Sequence, residues 1–291
     1  MAVTTALKNS TNRLLSVLNL RLDSLTAENA EKERIRSLER MGHLEGPLYP
    51  LLDGIGNMDL TWIASAKARY SDELSRLMSG DHPHSCGFDP ENRFFNGSDA
   101  QMLYLVIREF KPKRIIEVGS GNSTRIVRAA LTDSGVPASH IAIDPYPRED
   151  IEGIVNVIHR SRLEEIGFQE LEVLVDSLDA GDLLFIDSSH EVRGGGDLAA
   201  IFCRVLPRLK AGVFVHFHDI FLPFEYPLDL MVGNPGWGEQ YALQAWLQFS
   251  PHEVFWAGYH IQKQDPGFFT QNSLSTKRAQ SFWIRTQKGT H

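Results

Sequence analysis

Five side chains able to move a proton or hold a metal fall within two short segments of this 291-residue sequence. The first segment is Phe185-Ile186-Asp187-Ser188-Ser189-His190 and the second is His216-Phe217-His218-Asp219-Ile220. An imidazole has an unperturbed pKa of ~6.5, so His190 is a candidate general base near neutrality. Asp187, His218 and Asp219 form a candidate ligand set for a divalent metal that would orient and acidify an acceptor. Two imidazoles with two carboxylates suit Fe²⁺, Mn²⁺ or Zn²⁺ better than Mg²⁺, which favours an all-oxygen octahedron. A third reading makes the histidines packed strand residues and Asp219 the cap of a turn. His216, which alternates with Phe217 along the strand, is assigned to that third reading. The residues by themselves leave all three open.

A glycine-rich turn is the second feature. Glu117-Val118-Gly119-Ser120-Gly121-Asn122-Ser123-Thr124 follows a short apolar run and opens a helical stretch. Two glycines so spaced let the backbone turn tightly and let a ligand approach without interference from a Cβ. The helix that follows aims its free N–H groups at that ligand. Such a pair is common, but its place between a strand and a helix gives it weight. Thr124 stands where a dinucleotide fingerprint has its third glycine. Glu117 would face a phosphate badly and an amino group well. Asp144, which ends the next strand, is placed to accept the hydroxyls of a ribose, a contact that serves NAD and S-adenosylmethionine alike.

The elements that must position these residues alternate. Apolar runs over Ile115 to Val118, Ile141 to Ile143, Val155 to Ile158, Leu183 to Ile186 and Val213 to Phe217 predict strands. Helical stretches of about ten residues lie between them, implying right-handed crossovers and a parallel sheet covered on both faces. Ser98 with Gln101 reads as a capping box opening a helix through Phe110. A helix over Asp197 to Leu209 is expected, disturbed late by Pro207. Val254 to Ile261 and Ser281 to Thr286 predict two more strands, with room for an antiparallel partner at the edge. The fold class is therefore α/β, a three-layer domain over residues 95–291.

Residues 1–94 read as a helical N-terminal extension or lid. Leu7 to Met41 lacks Pro and Gly and is helix-forming, and Leu15, Leu18, Leu22 and Leu25 fall on one helical stripe. That stripe would pack on its own domain or form the contact of a homodimer. A second helix is expected over Leu60 to Met78.

Composition narrows the function classes. The formal charge is −8, which argues against a protein that grips phosphate backbones. No apolar run is long enough to span a bilayer and the first residues lack a signal-peptide pattern, so a cytoplasmic protein without membrane contact is expected. Cys86 and Cys203 are too far apart in sequence for a metal knuckle and read as structural.

Taken together, Glu-x-Gly-x-Gly after the first strand, Asp144 after the second, Asp187-x-x-His190 after the fourth and His218-Asp219 after the fifth resemble class I S-adenosylmethionine-dependent methyltransferases. The resemblance covers roughly residues 95–286. It implies a Rossmann-like seven-stranded sheet in the order 3-2-1-4-5-7-6 with the seventh strand antiparallel. It also implies a cofactor site of Glu117, Gly119, Ser120, Gly121, Ser123, Asp144, Ser161 and Asp187. Gly119 and Gly121 would lie under the methionine part, Glu117 near its amino group, and Asp144 at the ribose. Ser161-Arg162-Leu163 would border the adenine, while Asp187 and His190 would face the sulfonium and the acceptor. Metal-dependent members of this resemblance class carry Asp-Asn after the fifth strand and a Lys base; here Ile220 replaces the Asn and His190 the Lys. Phe221, Tyr226 and Trp237 are candidate walls of a pocket for a small-molecule acceptor. Nucleic acid is not expected as the acceptor, because no Asn/Asp-Pro-Pro-Tyr/Phe motif for a flipped base occurs. Two rival readings stand beside this one: an NAD- or nucleotide-sugar-binding Rossmann enzyme, and a catalytically silent subunit that binds the cofactor.

Overall fold

A computed structural model describes residues 2–20, 25–49, 52, 54–84, 86–148 and 150–288. Seven strands form one sheet: β1 Arg114–Val118, β2 Ser139–Ile143, β3 Val157–His159, β4 Leu183–Ile186, β5 Phe214–Phe217, β6 His252–Ala257 and β7 Phe282–Thr286. Their order is β3-β2-β1-β4-β5-β7-β6, as the resemblance implied. The five strands β1 to β5 pair in parallel, and β7 lies antiparallel between β5 and β6.

Alternation along the central strands assigns each residue to one face. Ile115, Leu183, Phe185, Phe214 and Trp283 join one apolar layer with the helices Gly97–Phe110 and Asn122–Ser134. Ile116, Val118, Leu184, Ile186, Val215 and Phe217 join the other, with the helices Phe168–Asp176 and Glu239–Leu247. Both faces are covered, which is why these strands read as unbroken apolar runs. No described helix is long and apolar enough to cross a membrane.

The chain divides at a different place from the expected 94/95 boundary. One compact unit is Met1–Glu45 with Pro227–Pro235; the other is Gly46–Tyr226 with Gly236–His291. Ile63, Ala66, Leu74, Leu77, Phe88 and Phe95 are buried in the same apolar layer as the helix Gly97–Phe110, so residues 46–94 are part of the large unit. In the small unit, the helix Thr26–Arg40 packs with the short helix Leu228–Gly233.

Several elements differ from expectation for identifiable reasons. The first helix ends in a turn at Ser16–Leu18, and Asn19 takes a left-handed conformation with φ of 54°, which Asn tolerates. The leucine stripe is therefore not one face of one helix: Leu18 and Leu25 are exposed, and Leu22 lies outside the described residues. The expected Leu60–Met78 helix is two, Thr61–Arg69 and Ser71–Ser79, broken at Tyr70, whose hydroxyl donates to the Arg108 carbonyl at 3.1 Å. The capping box at Ser98 does not form. The helix begins a residue earlier, the Ser98 hydroxyl is buried without a partner, and the Gln101 side chain accepts from the Ser275 amide instead.

Further along, the stretch after Asp197 is helical throughout but changes pitch, with a π turn over Ile201–Val205 and a tighter one over Leu206–Arg208. The expected strand to Ile261 stops at Ala257, and the helix Gly258–Gln264 begins. A Cβ on Gly258 would meet Trp256 Nε1 at 2.8 Å and Ala279 at 3.0 Å, so the chain turns where only glycine fits. Cys86 and Cys203 are both exposed, which removes the expectation that they are structural.

Leu74→Ala tests the placement of residues 46–94. Truncating this fully buried side chain should cost about 2–5 kcal/mol in urea-monitored unfolding. The large unit should lose stability as one transition; an early separate transition for residues 46–94 would contradict the shared layer.

Candidate active site

The hydrogen-bond ladder runs one residue beyond each central strand. Gly119 N donates to Ile143 O at 3.0 Å, Asp144 N to His159 O at 3.0 Å, Asp187 N to Val118 O at 2.9 Å, and His218 N to Ile186 O at 3.0 Å. Gly119, Asp144, Asp187 and His218 are thus held along one rim, at the carboxyl ends of the strands where open α/β sheets bind ligands.

At the centre of this rim, Gly119 has φ of 81°, and a Cβ there would stand 1.8 Å from the Asp187 carbonyl oxygen. Nothing lies within 4 Å of the corresponding point on Gly121, so this side of the turn is open to a ligand. Thr124, the departure from a dinucleotide fingerprint, ties the turn to the strand beneath it. Its hydroxyl accepts from Gly121 N at 2.9 Å and donates to Glu117 Oε2 at 2.8 Å.

Glu117, implied to lie near a cofactor amino group, has its carboxylate engaged by partners within the protein. It is fully buried, and its oxygens are taken by Ser123 Oγ at 2.6 Å, Thr124 Oγ1 and His140 Nε2 at 3.0 Å. Glu117 and Ser123 brace the turn from beneath. A buried carboxylate needs such partners, and two of the three here are among the first residues of the following helix.

Asp144 Oδ2 accepts from Ser120 N at 2.9 Å and Ser120 Oγ at 2.7 Å, while Oδ1 accepts from Tyr146 N at 2.8 Å. A carboxylate has about four acceptor positions, so one remains free and rotation of the Ser120 hydroxyl would release a second. Two is what a ribose diol requires. Ser161 is half-buried in the turn after β3, on the same rim.

The four chemistry-bearing side chains converge. Ligand atoms of Asp187, His218 and Asp219 lie within 4.8 Å of one another. His218 Nδ1 is 3.6 Å from both Asp187 Oδ1 and Asp219 Oδ2. His190 Nε2 is 3.4 Å and 3.5 Å from those same two oxygens. The backbones of His190 and Asp219 are both left-handed, with φ of 59° and 55°, a conformation that costs free energy in most residues and concentrates at functional sites.

Charge redistributes strongly in this cluster. Burial opposes the charged form of His190, but the neighbouring carboxylates of Asp187, Glu239 and Asp219 outweigh it and raise its pKa to about 10. For His218, too, burial is overcome by Asp219 and Asp187, and its pKa is held well above the usual histidine range. Asp187 is held well below the usual carboxylate range, because His218 and His190 outweigh its own desolvation. His216 follows the packing reading: it is fully buried, stacked at 4.1 Å on Phe185 and bonded to Ser281 Oγ, with its pKa pushed down by burial.

Two carboxylates that the sequence did not single out stand behind the histidines. Glu239 is fully buried, and its Oε2 is 2.8 Å from His190 Nδ1. Asp99, 3% exposed, takes the amides of Gln280 and Ser281 and lies 3.9 Å from His218 Nε2. The only signal in sequence was the Trp237-Gly238-Glu239 string. That segment folds back on the site: Gly238 N donates to the His190 carbonyl at 2.9 Å, and the Trp237 ring sits 4.4 Å from the imidazole. Trp237 is only partly buried and can wall a pocket. Phe221 and Tyr226, expected as walls, are instead buried in one aromatic cluster with Tyr259. Phe95 packs against the other histidine, 5.0 Å from the His218 ring.

Residues 116–220, from β1 through the glycine turn to the residue after Asp219, match a family model described as a methyltransferase domain. No curated protein matches the chain. Among solved structures it is similar to the Podospora anserina methyltransferase PaMTH1 bound to S-adenosylhomocysteine, at 16% identity over 65% of this chain and 78% of that one, with a TM-score of 0.40. It is also similar to the plantazolicin methyltransferase BamL in complex with a triazolic desmethylPZN analog and S-adenosylhomocysteine, at 12% identity over 78% and 96% of the two chains, with a TM-score of 0.37. A third, the plantazolicin methyltransferase BpumL bound to S-adenosylhomocysteine, is 11% identical over 89% and 100%, with a TM-score of 0.33.

Gly119→Ala should be the most damaging single-methyl change on the rim. The obstructing atom is backbone, so β1 or β4 must move, and a loss of at least about 3 kcal/mol of stability is expected. Chemical denaturation of wild type and variant measures this; a loss below about 1 kcal/mol would mean the strands do not hold that spacing.

Proposed function

We propose that the protein is an S-adenosylmethionine-dependent methyltransferase acting on an oxygen or nitrogen nucleophile of a small molecule, assisted by a divalent metal at Asp187, His218 and Asp219. The observation that carries this is the contiguity of two sites. The carbonyl of Asp187 stands against Gly119, and the side chain of the same residue belongs to the metal-binding group. A cofactor on the glycine turn and an acceptor at the cluster would be neighbours.

The residues fit such a cofactor: an open face at Gly121, the N-terminus of the helix Asn122–Ser134, and Asp144 with Ser120 for the ribose. Ser161 would border the base. The cofactor supplies a methyl group on a cationic sulfur, and the metal supplies a Lewis acid that lowers the pKa of an acceptor hydroxyl. Asp187, held ionised, favours positive charge at the rim. Trp237 and Phe95 exclude water from the two histidines. Orientation of the two reactants on adjacent walls can lower the barrier by ~7–11 kcal/mol. The donor set of nitrogen and oxygen favours Fe²⁺, Mn²⁺ or Zn²⁺ over Mg²⁺. A net charge of −8 disfavours nucleic acid as the acceptor.

Binding and transfer are tested separately. S-adenosylhomocysteine at a hundred times its Kd should stabilise the protein by about 2.7 kcal/mol, whereas NAD should leave the unfolding transition unchanged. Stabilisation by NAD alone would sink the proposal in favour of a dinucleotide enzyme. Labelled methyl transfer to a small-molecule panel should fall on chelation and return with Mn²⁺ or Fe²⁺. Tight cofactor binding with no transfer to any acceptor would instead identify a silent subunit.

A further inference from the structure

Two distances around His190 differ in kind. Its Nδ1 is 2.8 Å from Glu239 Oε2, the length of a charge-assisted hydrogen bond. Its Nε2 stands 3.4 Å and 3.5 Å from Asp187 Oδ1 and Asp219 Oδ2, too far for such a bond. Separations of this size are what two donors have when each is about 2.1 Å from one shared ion. His218 Nδ1 keeps nearly the same spacing, 3.6 Å, to the same two oxygens. Both imidazoles thus address one pair of carboxylate oxygens.

Glu239 has no place in a merely apolar lining. It is fully buried, its Oε1 has no hydrogen-bond partner among the described residues, and its Oε2 is spent on His190. A carboxylate in that state is costly unless it orients something. Metal-bound histidines characteristically give their second ring N–H to such a carboxylate, which fixes the tautomer and turns the other nitrogen's lone pair toward the ion.

Resting on the metal reading above, we infer that His190 is a fourth protein ligand of the ion held by Asp187, His218 and Asp219, and that Glu239 is the positioning residue that presents its Nε2. His190 already stands within reach of two of the three other donors. The Gly238 amide holds its backbone carbonyl, and the Trp237 ring packs against its imidazole. The acceptor's proton then leaves to solvent or to a carboxylate and not to His190.

Mn²⁺ titration calorimetry on the full chain, stripped of metal beforehand, tests this together with pulsed electron paramagnetic resonance of the Cu²⁺-loaded protein. The wild type should show two imidazole nitrogens bound to copper, and His190→Gln one. Glu239→Ala should weaken Mn²⁺ binding about 10–100-fold, while Glu239→Gln, which keeps an acceptor for Nδ1–H, should recover most of it. Unchanged S-adenosylhomocysteine affinity and an intact unfolding transition establish that the variants are folded. A single imidazole on wild-type copper overturns the inference without needing any variant. Unaltered Mn²⁺ affinity in Glu239→Ala overturns the role of Glu239. Failure of the wild type to bind any metal would instead remove the metal reading itself.

Discussion

The rim depends on one close approach: the carbonyl oxygen of Asp187 occupies the place where a side chain on residue 119 would begin. Because residue 119 is glycine, β1 and β4 can keep their ladder to its end, with Asp187 N donating to Val118 O. That contact fixes the backbone of Asp187 from the β1 side. Asp197, in the first turn of the next helical stretch, fixes the following residues by taking Ser189 N at 2.8 Å and Ser189 Oγ at 2.7 Å. The loop from Asp187 to His190 is therefore pinned at both ends, and its two functional side chains inherit the rigidity of the sheet.

Electrostatics is the second organising constraint. Glu117, Asp99 and Glu239 are almost entirely buried, and a carboxylate in that position must be compensated. Each is answered differently. Glu117 receives two hydroxyls and an imidazole, and Asp99 receives two backbone amides just before β7. Glu239 receives only His190, while burial raises its own pKa against the pull of that histidine. Glu117 is a self-sufficient structural group, whereas Asp99 and Glu239 each border a histidine of the cluster.

The strands were legible because both sheet faces are covered, so they appear as plain apolar runs; their order came only from the resemblance. The rim residues were legible because each directly follows such a run. What stayed hidden has local causes. Asn19 and Tyr70 break helices with no Gly or Pro to announce it. Glu117 lies within β1, and its carboxylate is taken by Ser123, Thr124 and His140, partners that no linear pattern announces. Asp99 reaches the site through residues 280 and 281, and Glu239 through a return of the chain 49 positions after His190. Neither contact has a periodicity that a linear reading could use. Residues 46–94 looked like an extension because loops separate their helices, whereas their apolar residues complete a sheet layer.

The left-handed backbones of His190 and Asp219 carry a consequence for how this rim could diversify. Few side chains tolerate that conformation: glycine freely, and asparagine, aspartate and histidine with modest strain. The main chain thus screens the alphabet at both positions before any chemistry is asked of them. Of the four residue types that this conformation favours most, two are able to donate to a transition metal, so the backbone itself biases both positions toward that chemistry.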